Sequence, residues 1–108
     1  LGALSQRDIG TYFPNTKRNL NRNSIDFLNY ALKKMDSKKM IINNIDIMIV
    51  SEKPKINPHF EIIISSLSKL LKTDKKNITI KATTNEKSGL IGSGDFIACW
   101  SNISLKLN

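Results

Sequence analysis

The chain has 108 residues, a formal net charge of +8, 40% hydrophobic and 24% charged residues, and a single cysteine. That length suits one modest domain, and the apolar content excludes a wholly disordered chain. No apolar run approaches the roughly 20 residues of a membrane helix, and one cysteine excludes an internal disulfide. The basic balance points toward nucleic acid, an acidic membrane surface or phosphorylated small molecules. The lysines are nevertheless scattered among asparagine and isoleucine, as an AT-rich genome also produces. With 6% aromatic residues the chain lacks an evident base-stacking platform, which disfavours nucleic acid.

Taken in chain order, residues 1–4 read as the tail of a helix, and the apolar Leu-Gly-Ala-Leu start suggests the middle of a longer protein. Asp8 and Gly10 make a tight turn plausible, and Pro14 forces Phe13 into an extended exit. Residues 15–23 are polar, basic and aperiodic, so an exposed, mobile loop is expected. Ser24 is the expected N-cap of a helix reaching about Lys38, with Phe27, Leu28, Ala31, Leu32 and Met35 on its apolar face. In IINNIDIMIV, Ile45, Ile47 and Ile49 alternate with Asp46 and Met48, which predicts a strand with one buried face.

Pro54 and Pro58 bracket the loop that follows, and Pro58 suits the first turn of a second helix over about 58–72. Phe60, Ile63, Ile64, Leu67, Leu70 and Leu71 would form its buried face. A short polar linker leads to a strand at 77–83, then a Gly-rich loop, then a last strand at roughly 96–106. Cys99, between Ala98 and Trp100, is expected to be a packed core thiol. The order predicts an α/β fold, a small sheet with helices packed on one face. No repeat or second domain is visible.

Three stretches carry chemistry. In IKATTNEKSGLIGSGD, Thr83 and Thr84 bring hydroxyls and amides to the end of a strand, which suit phosphate oxygens. Glu86 adds a carboxylate suited to a hard divalent cation. A Thr-rich strand end before glycines is, taken alone, an ordinary turn. SEKPKINP is a proline-stiffened loop directly after a buried strand, where α/β proteins place ligands. Its backbone groups suit a flat base edge and Lys55 adds a cation, while the bland reading is a rigid surface turn. Asp8 in RDIG either accepts two ribose hydroxyls or simply caps its turn. His59, the only histidine, reads as a helix-start residue, and with one His and one Cys no zinc site is recognisable. The pair Gly92 and Gly94 lacks the spacing of a dinucleotide fingerprint.

In this order and spacing, DIGTYFPNT, IDIMIV with SEKPKINPH, and IKATTNEKSGLIGSGD resemble the 2-C-methyl-D-erythritol 2,4-cyclodiphosphate synthases, cyclases of the non-mevalonate isoprenoid pathway. The resemblance spans almost all of the chain. It implies a single cyclodiphosphate synthase-like domain over 1–108, N-terminally incomplete, and an intramolecular phosphoryl transfer that expels CMP. By position, Asp8, Ile9 and Gly10 would lie on the ribose side, and Phe13, Pro14, Asn15, Thr16 and Lys17 would line the methylerythritol pocket. Ser51, Pro54, Lys55, Ile56 and Asn57 would hold cytosine. Thr83 and Thr84 would bind the diphosphate, with Thr84 the catalytic residue, and Glu86 would ligate magnesium or manganese. The family also implies zinc and a homotrimer with active sites between subunits.

Several positions depart from the family. Its zinc ligands lie upstream of the first residue, so this chain as given is expected to hold no catalytic zinc and to be inactive alone. Asn15 and Lys17 replace aspartates, Ser93 stands where arginine is frequent, Leu90 replaces an aromatic residue, and Trp100 takes a position often held by glutamate. The alternatives are a noncatalytic cytidine-nucleotide-binding homologue and a basic nucleic-acid-binding module. The compositional bias fits a relict plastid (apicoplast-like) or a bacterial cytoplasm, with the plastid favoured.

Overall fold

In the computed structural model, which describes residues 1–108, the central strand β1 (Met40–Val50) is flanked by β2 (Ile78–Thr83) and β3 (Ala98–Leu107). The chain divides into two compact units, one of Leu1–Ile41 with Leu105–Asn108, the other of Ile42–Ser104.

In the second unit, β1 and β2 run parallel in a register that pairs Ile45 with Ile78 and Val50 with Thr83. Parallel neighbours need a crossover, and α3 (Phe60–Leu71) supplies it, packing on β2. Pro58 lies in a 3-10 turn, Asn57–His59, that runs straight into α3, where its missing N–H costs nothing. Lys72, with φ of 51°, ends the helix in the left-handed conformation. Ile45, Ile78 and Ile80 are buried, at 3%, 5% and 7% exposure. The expected single buried face of β1 is only partly observed. Ile47 and Ile49 are half-buried, and so are Asp46 and Met48, because a central strand is partly covered on both faces.

As β1 advances, β3 recedes: Lys39 accepts a bond from the Asn108 N–H, and Asn43 bonds Ser104 (3.2 Å). These two strands are therefore antiparallel. Cys99 is exposed, contrary to expectation. The cause is that β3 is an edge strand whose residues 99–104 are all exposed, so apolar neighbours do not make a core here.

In the first unit the expected helix tail is a single 3-10 turn, Gly2–Leu4, closed by Ser5 in the left-handed conformation. Leu4 and Met35 are its buried apolar residues, and Lys38 Nζ donates to the Leu4 carbonyl (2.8 Å). A short helix α1 (Ile9–Tyr12) precedes Phe13, which leaves helical geometry ahead of Pro14. The longer α2 (Ser24–Ser37) is capped by Asn23 rather than Ser24. Asn23 has the extended backbone a cap requires, and its side chain accepts the Ile25 N–H (2.9 Å). Residues 15–23 are mostly exposed, as expected, but not a free loop. They form a 3-10 turn, Lys17–Asn19, tied by Asn19 to the Pro14 carbonyl (2.7 Å) and by Arg22 to Asp26 (3.1 Å).

Candidate active site

The parallel pairing of β1 and β2 brings both strand ends to one rung, and the loops leaving them enclose a cavity of about 340 Å³. Ser51, Lys55, Ile56 and Asn57 line it from one loop and Thr83 and Thr84 from the other, with Pro58 and Ala82 alongside. Ser51 is 4% exposed. Its N–H donates to the Thr83 carbonyl (3.0 Å) and its hydroxyl to the Pro54 carbonyl (3.2 Å). One buried serine thus extends the ladder and folds the proline loop over the cavity. Pro54 shapes the loop without lining the cavity.

Beyond Thr84 the backbone turns sharply. Glu86 and Lys87 both adopt positive φ, at 51° and 59°, conformations disfavoured for residues with a Cβ. The Ser88 N–H closes the turn on the Asn85 carbonyl (2.9 Å), and side chains add three further contacts. The Glu86 N–H donates to Thr84 Oγ1 (3.3 Å), and Asn85 Nδ2 donates to the Ser88 carbonyl (2.8 Å). The third is the Glu52 carboxylate, which accepts the N–H groups of Asn85 (3.4 Å) and Lys87 (3.0 Å). Glu52 was not among the sequence-derived candidates. Its only signal is a carboxylate beside a buried strand end.

The expected Gly-rich loop contains a helical turn, α4 (Gly89–Gly92), with Gly92 buried. A Cβ at Gly92 would lie 2.2 Å from the carbonyl carbon of Lys87, so only glycine fits against the turn. Ser93, in the position where a cation was expected from the family, bonds Asp95 (2.6 Å) within its own turn. His59 is an exposed residue of the turn leading into α3, in keeping with a helix-start role.

Asp8, Ile9, Gly10 and Phe13 to Lys17 belong to the first unit. Asp8 stands at the start of α1, where Thr11 Oγ1 donates to Oδ1 (2.8 Å). Asp8 thus occupies the N-cap position without a side-chain bond capping a helix N–H, and its Oδ2 lies beside Gly10. A Cβ at Gly10 would come within 3.0 Å of that oxygen. Phe13, Pro14 and Thr16 line a separate groove of about 620 Å³ with Arg18, Arg22 and Tyr30, whereas Asn15 and Lys17 do not. Phe13 is fixed edge-on to Phe27 (4.9 Å between centroids), with the Arg22 guanidinium over its ring (4.8 Å).

The Thr11 hydroxyl holds the Asp8 carboxyl below its ordinary value of 3.8, and nearby backbone N–H groups add to this. A depressed folded-state pKa stabilises the fold above the unfolded value, and that contribution is lost as pH falls through the folded value. Thr11→Val should return the Asp8 titration toward 3.8, read by carboxyl NMR. An unchanged titration would show that the backbone N–H groups suffice.

No three His, Cys, Asp or Glu side chains are grouped to hold a metal ion. The donors do not fit zinc, because His59 and Cys99 are exposed and far apart in sequence. Magnesium or manganese is different, since such ions take one or two carboxylates and draw their other ligands from phosphates and water. Glu86, exposed and two residues from Thr84, fits that pattern.

These features define a small α/β protein with a cavity of mixed polar and apolar lining at the carboxyl ends of a parallel strand pair. The YgbB family profile matches residues 1–106, and the chain belongs to that family. It is 42% identical over 106 residues to "2-C-methyl-D-erythritol 2,4-cyclodiphosphate synthase, apicoplast" of Plasmodium falciparum, covering 97% of this chain and 44% of that protein. It is 45% identical over 107 residues to the 2-C-methyl-D-erythritol 2,4-cyclodiphosphate synthase of Prochlorococcus marinus, covering 98% of this chain and 64% of that one. A Plasmodium falciparum structure described as IspF in a CDP complex superposes with a TM-score of 0.85 at 40% identity, over 97% of this chain and 62% of that one. The chain therefore spans roughly half to two thirds of these relatives' lengths. The resemblance carried by the three motifs and the small α/β fold are both borne out. Relatives include apicoplast and bacterial proteins, and no helix here is long and apolar enough to cross a membrane.

Proposed function

We propose that the full-length protein carrying these residues converts 4-diphosphocytidyl-2-C-methyl-D-erythritol 2-phosphate into 2-C-methyl-D-erythritol 2,4-cyclodiphosphate and CMP. The observation that carries this is the cavity in which Ser51 to Asn57 meet Thr83 and Thr84, in a chain of the YgbB family. In this reaction a 2-phosphate oxygen bonds to the β-phosphorus, the bond from that phosphorus to the α-phosphate oxygen breaks, and CMP leaves with the electron pair. The protein's task is positioning and charge neutralisation.

In this reading residues 1–108 belong to a single cyclodiphosphate synthase-like domain. Backbone groups of the 51–57 loop take the cytosine edge, and Lys55 offers a cation at its rim. Thr83 and Thr84 hold the diphosphate, and the Thr84 hydroxyl stabilises charge developing at the β-phosphorus. Asp8, Ile9 and Gly10 serve the ribose, and Phe13 to Lys17 the methylerythritol. Glu86 would hold magnesium or manganese, which when bound supplies neutralisation of the diphosphate charge.

A homotrimer with shared sites is part of the proposal. It is supported by the exposed apolar residues around β3, where Phe96, Ile97 and Trp100 are 58%, 54% and 57% exposed and close together in sequence. The apicoplast relative favours a plastid compartment.

The test is turnover of the full-length protein with zinc and magnesium supplied, following CMP and the cyclic product together. Glu86→Gln should raise the magnesium concentration needed for half-maximal rate by about tenfold, because one charged ligand at an exposed site is lost. CDP binding without CMP release would instead favour a noncatalytic cytidine-nucleotide-binding protein. The commitment of Ser93 to Asp95, in place of a phosphate-directed cation, is the observation on that side.

A further inference from the structure

We propose that Glu52 is a positioning residue that couples the base-side loop to the phosphate-side turn, so that diphosphate affinity depends on its carboxylate. The inference rests on the nucleotide reading above and goes beyond it, since Glu52 lines neither the cavity nor any expected subsite.

Three observations carry it. Glu52 directly follows Ser51, whose buried backbone is locked to Thr83, so its Cα is fixed relative to both strand ends. Its two carboxylate oxygens reach across 33 and 35 residues of sequence to different N–H groups, those of Asn85 and Lys87. Those amides flank the residue proposed to hold the cation, in a turn where Glu86 and Lys87 both have positive φ. Such a backbone persists only where its surroundings impose it, and the two-oxygen clamp supplies the hydrogen bonds these two amides receive from outside the turn, beside the packing of Gly92 on Lys87. Successive N–H groups in this geometry also form a natural anion seat. Here the protein's own carboxylate fills it, leaving substrate phosphate to the hydroxyls of Thr83 and Thr84 and to the cation. Removing that carboxylate has two opposed consequences. The turn loses its clamp, which weakens diphosphate binding, and a negative charge disappears, which strengthens it. The structure assigns the greater weight to the clamp, because both oxygens are engaged with the turn.

The experiment compares cytidine with CDP on the full-length protein and its Glu52→Ala and Glu52→Gln variants by calorimetry. Amide hydrogen exchange at Asn85 and Lys87 reads the clamp without ligand. Glu52→Ala should lose about tenfold in CDP affinity, the scale of charge-assisted hydrogen bonds, with cytidine affinity within about twofold of the parent. Glu52→Gln, with one acceptor left, should fall between them, and both amides should exchange faster in the alanine variant. Unchanged exchange, or CDP affinity that is unchanged or raised, would overturn the proposal. Cytidine affinity falling in step with CDP would also overturn it, by marking a general structural role. A parent protein that binds CDP no better than cytidine would sink the nucleotide reading itself, a failure visible before any variant is made.

Discussion

Thr84→Ala is expected to lower turnover of the full-length protein by about 100- to 1,000-fold, with a smaller change in KM. The magnitude is that of removing one preorganised donor aimed at developing charge. Two losses coincide. The hydroxyl lining the cavity beside Thr83 disappears, and the Glu86 N–H loses its acceptor at 3.3 Å. Thr84→Ser keeps the hydroxyl and should recover most of the rate, which separates chemistry from the methyl group's packing. Single-turnover measurement of CMP release is the appropriate readout. A Thr84→Ala protein within about threefold of the parent would remove Thr84 from the catalytic role, leaving neutralisation to the cation and Lys55.

Gly92→Ala should be the most damaging small substitution in the second unit. The added Cβ would meet the Lys87 carbonyl carbon at 2.2 Å and its Cα at 2.7 Å, and backbone cannot swing aside as a side-chain tip can. Overpacking of this kind costs about 1–3 kcal/mol, or more where backbone must move. For a chain of this size that corresponds to a fall in Tm on the order of 10 °C. The displaced Lys87 would carry Glu86 with it, so CDP affinity should fall alongside stability. Gly89→Ala is the matched control. It has open space around its Cβ but a φ of 65°, so only backbone strain of about 1 kcal/mol is incurred. Equal melting temperatures for the two variants would contradict the steric account.

The parts legible in the sequence were those with a short-range physical signature. The alternation of Ile45, Ile47 and Ile49 and the 3.6-residue spacing from Phe60 to Leu71 name a strand and a helix without tertiary information. Pro58 marks the start of the second helix because only a first turn tolerates it. Asn23 and Ser24 are equally good caps by type, and only the backbone conformation at Asn23 distinguishes them. Cys99 was misread because apolar neighbours signal a core only when a second layer covers the strand. In the site, Thr83 and Thr84 point to phosphate only in combination with the other two motifs, Asp8 is readable either as a ribose contact or as a turn cap, and Phe13 to Lys17 are picked out only by resemblance. Glu52 was invisible because its partners lie 33 and 35 residues away, where no local rule reaches.

The parallel register of β1 and β2 also governs when the cavity comes into being. Its two walls, around Ser51 and Thr83, meet only after the crossover through α3 has closed, pairing Ile45 with Ile78 at a separation no local contact bridges. Non-local pairings of this kind form late, because the loop entropy must be overcome before any contact rewards it. Helices can therefore assemble in a refolding chain that still has no affinity for nucleotide. If the proposed function holds, binding competence returns with the sheet, and a nucleotide present during folding would stabilise the finished protein without speeding its first steps.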